Sequence, residues 1–196
     1  MTNIILASTS ESRKKVLRKF ALPFDCIAPT CDETPLPHEK AIDLVLRLSQ
    51  TKAQSVAKDH PNSIVIGSDQ VGVMEGEIIG KPYTREKAIQ QLLDSSGKTI
   101  KFFTGLSVIH GRTQQNITTY EQFDVTFRSL TLAEITAYVK KEQPLQCAGS
   151  FKCDELGITL FSKLEGKDIN SLVGLPLIRL NQIMIDMGFN PLLMSC

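Results

Sequence analysis

Two short apolar runs, each flanked by helical periodicity, constrain this chain more than any other feature. Asn-Ile-Ile-Leu-Ala at 3–7 reads as a buried strand, and a helix follows over 11–21, with Ser10 as N-cap and Val16, Leu17 and Phe20 on one face. Phe24 to Ala28 reads as a second strand, and Pro29, Pro35 and Pro37 make 29–38 a rigid loop. A helix over about 39–58 carries Ile42, Val45, Leu46, Ala53, Val56 and Ala57 on its period, with Asp43 and Arg47 spaced to pair. The second apolar run, Ser63 to Gly67, ends in Ser68-Asp69-Gln70. Residues 71–79 then read as a hairpin turning at Glu75-Gly76 and closed by Gly80-Lys81-Pro82. Next come a helix over 84–96, capped by Thr84 and ended by Gly97, and two antiparallel strands over 98–110 and 114–128 joined near Gly111. A helix over 132–142 stops before Pro144, residues 147–161 mix Gly with short β-like runs, and 170–188 form a last helix with Pro176 near its start. Strands and helices interleave, but the middle is a hairpin, which predicts an α/β fold with a mixed sheet.

At 196 residues the chain fits one domain, 1–196, and a core of this size needs no staple. Lys plus Arg is 22 and Asp plus Glu is 21, so the net charge is +1, and a duplex nucleic-acid binder is not expected. With 6% aromatics and no aromatic-basic stripe, a single-strand binder is not expected either. Cys26, Cys31, Cys147, Cys153 and Cys196 are odd in number and contain no CxxC; with only His38, His60 and His110, they predict reduced thiols in a cytoplasmic protein, not a zinc site. The N-terminus has no basic region and no long apolar run, so neither a signal sequence nor a membrane span is expected.

Five clusters carry candidate chemistry. Ser8-Thr9-Ser10-Glu11-Ser12-Arg13 sits where the first strand turns into the first helix. The amides of a helix N-terminus, the Ser8 and Ser10 hydroxyls and the Arg13 guanidinium are suited to phosphate, while Ser10 serves equally as an ordinary cap. Asp32-Glu33 on the Pro-rich loop offers carboxylates for Mg²⁺ or plain solvation. Asp69 ends an apolar strand, where open α/β sheets place ligands; it suits a metal ligand, a general base or an Asx turn. Lys52, at the edge of its helix's apolar stripe, and Lys81, in Gly80-Lys81-Pro82, suit either phosphate or surface positions. In Cys147-Ala148-Gly149-Ser150-Phe151-Lys152-Cys153-Asp154, Phe151 could stack on a base and Asp154 hydrogen-bond it, or the segment is a β turn. There is no GxxxxGK[ST] and no GxGxxG. As a set, an anion site, several carboxylates and two placed lysines describe metal-assisted chemistry at a phosphate.

Taken in order, Leu6-Ala7-Ser8-Thr9-Ser10-Glu11-Ser12-Arg13, Asp32-Glu33, Lys52-Ala53, Gly67-Ser68-Asp69 and Gly80-Lys81-Pro82 resemble the Maf family of nucleotide pyrophosphatases. The resemblance runs from about residue 3 to about residue 190. It implies a two-lobed single domain around an elongated mixed sheet with a central cleft, similar to inosine triphosphatase, and a homodimer. It implies that Ser8, Ser10, Arg13, Lys52 and Lys81 bind the phosphates of a nucleoside triphosphate. Glu33 and Asp69 would hold Mg²⁺ or Mn²⁺, with Asp69 activating water. One branch of the family acts on dTTP and UTP and carries Arg, Thr and Gln where this chain has Ser12, Gln70 and Asp154. Gly67-Ser68-Asp69-Gln70, Cys147-Ala148-Gly149-Ser150-Phe151-Lys152 and Leu172-Val173-Gly174-Leu175-Pro176-Leu177 resemble the N7-methyl-GTP branch instead. That branch would have Glu where Asp154 stands, so the carboxylate here is about one methylene shorter. The alternatives are a pyrophosphatase for dTTP, UTP or other non-standard nucleotides, and a nucleotide-binding regulator of cell division or septation.

Overall fold

The computed structural model describes residues 3–194. The chain runs β1 (Ile4–Leu6), α1 (Glu11–Leu17), β2 (Asp25–Cys26), α2 (Ala41–Ala57), β3 (Ile64–Met74) and β4 (Glu77–Ile79). It continues through α3 (Arg85–Ser95), β5 (Thr99–His110), β6 (Gln115–Phe127), α4 (Leu132–Glu142), β7 (Phe161–Gly166), α5 (Ile169–Val173) and α6 (Leu177–Asp186). The strands form one seven-stranded mixed sheet in the order β2-β1-β3-β5-β6-β7, with β4 on β3. The expected mixed α/β class is therefore observed. The chain divides into two compact units. One holds the residues up to Asp69, Thr104–Glu121 and those from Asp168 onward; the other holds Gln70–Phe103 and Gln122–Lys167.

The first unit explains the two apolar runs. β1 and β3 pair in parallel, Ile4 to Ile64 and Leu6 to Ile66. Ile4, Leu6, Ile64 and Ile66 pack against Val16 and Leu17 of α1 and Leu180, Ile183 and Met184 of α6. Ile5, Ala7 and Val65 pack on the opposite face against Ala53 and Val56 of α2. A parallel pair covered on both faces has no polar side to alternate with. Each fully buried Ile or Leu contributes roughly 1.5–3 kcal/mol.

Several expectations are corrected here. β3 does not stop at Gly67: it runs through Ser68, Asp69 and Gln70 to Met74, so Asp69 lies within a strand and not at its end. β1 pairs Ile64–Ile66 and β4 pairs Gly72–Met74, and Asp69 falls between the two pairings. Arg47 bonds Glu39, not Asp43, through Nε at 2.6 Å and Nη2 at 2.7 Å, and Nη2 also reaches the Thr34 carbonyl. A two-pronged bond to a carboxylate outweighs an exposed i,i+4 pair. Arg47 and the Leu36 N–H hold the Glu39 carboxyl down to about 2. This tie is complete above the usual carboxylate range and is lost only as pH falls through the lowered value. The expected last helix is two. Gly174, at φ 116°, ends α5, and Pro176, with no N–H to donate, precedes α6. Buried Asp168 spans the break, accepting from the N–H groups of Asn170 and Ile178.

Gly67 sets the distance between β3 and α2. A Cβ there would stand 2.2 Å from the Ser49 carbonyl oxygen and 2.7 Å from the Ala53 nitrogen. Gly67→Ala is expected to cost about 1–3 kcal/mol, because only backbone can yield. A urea midpoint equal to wild type would contradict this close packing.

In the second unit, α3 is capped by Thr84 as expected, and α4 by a Thr131–Glu134 capping box. The β-like runs expected over 147–161 are instead single turns at Ala148–Ser150 and Leu156–Leu160, since 149 and 150 both take positive φ. The strand begins only at Phe161. Phe151 is 5% exposed, its ring centroid 5.3 Å from Phe102, 5.7 Å from Phe127 and 4.9 Å from Phe161, all edge-on. It is a core residue, not a stacking platform.

Candidate active site

The loop from β1 to α1 is built by its serines. The Ser8 hydroxyl accepts from the Ser10 N–H at 3.1 Å, and the Ser10 hydroxyl accepts from the Arg13 N–H at 3.4 Å. Ser10 thus caps α1 as expected, and these two donors are already satisfied. Arg13 extends from the first turn and donates through Nε to the Gly174 carbonyl at 2.8 Å. The same carbonyl accepts from the Ser68 hydroxyl at 2.9 Å, which also donates to the Gly105 carbonyl. The left-handed turn at Gly174 therefore aligns Arg13 with the β3 segment that carries Asp69.

Asp69, Glu33 and Lys52 meet at one atom. Lys52 Nζ donates to Glu33 Oε2 at 2.6 Å and to Asp69 Oδ1 at 2.7 Å. Lys52 is 5% exposed and Asp69 8%, whereas the Glu33 side chain is 56% exposed. Lys52 is thus neither a surface lysine nor solvated; it is a buried cation that draws the Pro-rich loop and β3 together. The Arg13 guanidinium is close enough to feel both carboxylates. Burial lowers its pKa, and Asp69 and Glu33 pull it back up. Two cations and two carboxylates balance to zero, with Lys52 and Asp69 buried and Glu33 facing solvent. Cys31 borders this cluster; burial, Glu33 and Asp69 push its thiol up, so it is not activated. Cys26, Cys31, Cys147 and Cys153 are not bridged to one another, and Cys196 lies outside the described residues.

The remaining predicted residues sit as follows. Ser12 is exposed on α1. Gln70 follows Asp69 on β3 and is partly buried. Lys81 is exposed in its turn after β4, and Asp154 is exposed after the Phe151 core residue. Within the second unit Lys81, Lys152, Asp154 and Glu155 all act on Cys147, whose thiol burial pushes up; the two lysines oppose that shift and the two carboxylates add to it. This places Lys81 near the 147–155 segment. Gln91 of α3 ties the two stretches: its amide donates to the Gly80 carbonyl at 3.1 Å, and its side-chain oxygen accepts from the Ser150 hydroxyl. Sequence reasoning missed Gln91 and the Ser68 hydroxyl shared between the Gly105 and Gly174 carbonyls. Ser68 and Gly174 lay inside quoted motifs, but nothing local marked Gln91. Among the described residues no group of three His, Cys, Asp or Glu could hold a metal ion. No helix among them is long and apolar enough to cross a membrane.

The sequence matches the Maf-like protein family over residues 3–187. It is 56% identical over 191 residues to a 7-methyl-GTP pyrophosphatase from Aliivibrio fischeri (strain ATCC 700601 / ES114), covering 97% of this chain and 99% of that protein. A solved HAM1 protein from Coxiella burnetii shares the fold at a TM-score of 0.51 and 13% identity, covering 95% of this chain and all of the other.

Proposed function

This chain belongs to the Maf-like protein family, and on that premise we propose that it hydrolyses N7-methyl-GTP to N7-methyl-GMP and pyrophosphate. The observation that carries this reading is the near-full-length identity to a 7-methyl-GTP pyrophosphatase; the charge cluster supports an assignment of roles.

Asp69 is the general base. Lys52 holds its Oδ1, and Oδ2 takes the proton of the attacking water. The water oxygen bonds to the α-phosphorus as the bond to the α–β bridging oxygen breaks, and pyrophosphate leaves. Lys52 fixes the two carboxylates with two of its three ammonium hydrogens and turns the third to phosphate. Ser8, Ser10, Arg13 and Lys81 serve the phosphates. Ser12, Gln70 and Asp154 read the base; N7-methylation makes guanine cationic and its N1–H more acidic, which suits a carboxylate acceptor.

The donor set fits Mg²⁺ or Mn²⁺. Glu33 and Asp69 are hard oxygen ligands, and two carboxylates completed by substrate phosphate oxygens suit such an ion better than an all-protein cage. Such an ion, when bound, supplies Lewis-acid polarisation of the phosphate and a lowered pKa for bound water.

Product analysis tests the reaction. Pyrophosphate and N7-methyl-GMP are expected; orthophosphate with the diphosphate would contradict cleavage between the α and β phosphates. Arg13→Ala is expected to raise KM and to lower kcat by about tenfold or more, because its contact strengthens as charge develops. An unchanged kcat/KM would reduce the Ser8–Arg13 segment to a helix cap.

A further inference from the structure

The last turns of α4 carry two side chains that the proposed chemistry does not use. Tyr138 and Glu142 are one helical turn apart and share a face. Tyr138 is 4% exposed, and its hydroxyl accepts from the Lys152 backbone N–H at 3.0 Å. Glu142 accepts from the Leu156 backbone N–H, and the Glu155 carboxyl lies against it. Glu142 Oε2 is fully buried with no hydrogen-bond partner. The Lys152 ammonium stands 3.7 Å from that oxygen and 3.6 Å from Glu155 Oε2, outside hydrogen-bonding distance of both. Two neighbouring carboxyls repel if both ionise, and Lys152, within ion-pair distance of both, offsets only part of that repulsion. A proton on Glu142 removes the repulsion and gives the orphaned oxygen a hydrogen to donate. The loop they hold is closed on itself, since a Cβ on Gly157 would stand 2.1 Å from the Lys152 carbonyl oxygen. Asp154 is exposed between the pinned residues.

We propose that Tyr138 and Glu142 are positioning residues for base selectivity: they clasp Lys152, Glu155 and Leu156, on both sides of Asp154. This rests on the reading of Asp154 as a base-reading residue. Burial and the Glu155 carboxyl push the Glu142 pKa up, and Lys152 and the Leu156 N–H pull less strongly downward. Tyr138, raised by burial, stays neutral throughout. Cys147 and, through it, Asp154 and Lys81 also belong to the titratable and charged surroundings. The folded-state pKa is raised, so the clasp is complete at low pH and is lost as pH climbs through the raised value.

The test compares kcat/KM for N7-methyl-GTP over GTP in wild type, Glu142→Gln and Glu142→Ala, from mildly acidic to mildly alkaline pH. Dividing wild type by Glu142→Gln at each pH cancels the substrate's own titration. The Gln amide can accept from Leu156 and donate to Glu155, mimicking the protonated pair at every pH. Glu142→Gln is therefore expected to match wild-type selectivity at low pH and keep it as wild type declines. Glu142→Ala is expected to lose selectivity by about tenfold throughout. Hydrogen exchange at the Leu156 amide reports the clasp without substrate, and its protection is expected to be lost in Glu142→Ala and kept in Glu142→Gln. A base-selective wild type whose ratio and Leu156 protection both ignore Glu142 would overturn the clasp. A wild type indifferent to the base, with Leu156 protection still following Glu142, would instead sink the reading of Asp154.

Discussion

Asp69→Asn is expected to lower kcat by about 10²–10⁴-fold, the range a positioned general base contributes, while the fold survives. The substitution is nearly isosteric. Its amide oxygen can still accept from Lys52 Nζ, which now stands 2.7 Å from Oδ1. What is lost is the negative charge and the capacity to take a proton. The neighbouring contacts of β3 are made by other residues: Ser68 bonds the Gly105 and Gly174 carbonyls, and Val65 and Ile66 fill the core. A thermal melt close to wild type, together with collapse of pyrophosphate release, is the expected pair of results. Near-normal turnover in the folded variant would remove Asp69 from the chemistry.

Lys52→Met is expected to have the largest effect on stability. Methionine fills much of the same volume but leaves buried Asp69 without its hydrogen-bonded cation, and breaking a buried pair in this way costs about 3–5 kcal/mol. The Glu33 side chain, 56% exposed, can turn to water and adds little. The double variant Lys52→Met with Asp69→Asn should recover part of the loss, because the uncompensated charge is gone. Urea unfolding of the four members of this cycle measures the coupling. A single Lys52→Met variant within about 1 kcal/mol of wild type would show that Lys52 is not the clamp.

The fold was legible where local chemistry decides it. Ser10 and Thr84 cap their helices because a side-chain oxygen followed by a helical period leaves little alternative. The runs at 4–6 and 64–66 are strands because both faces are buried. What was not legible depended on distant residues. The interior position of Asp69 depends on β4 extending the pairing of β3 beyond the polar triplet. Burial of Lys52 depends on buried Asp69, seventeen positions away, and its second partner, Glu33, lies on a loop whose polar composition suggests only solvation. Phe151 sat in a segment rich in small residues, and only Phe102, Phe127 and Phe161, from three strands, make it core. Helical periodicity carried across Gly174 and Pro176, whereas the backbone did not. The motifs in order pointed to the family, but the geometry of Arg13 on the Gly174 carbonyl needed the folded chain.

Base preference is the claim on which the reading of Ser12, Gln70 and Asp154 depends. The most direct measurement is kcat/KM for pyrophosphate release from N7-methyl-GTP, GTP, dTTP, UTP, CTP and ITP, side by side, with Mg²⁺ or Mn²⁺. N7-methyl-GTP is expected to lead the panel by at least about tenfold, the discrimination one charge-assisted contact provides. A lead by dTTP or UTP, or equal rates across the panel, would contradict the assignment.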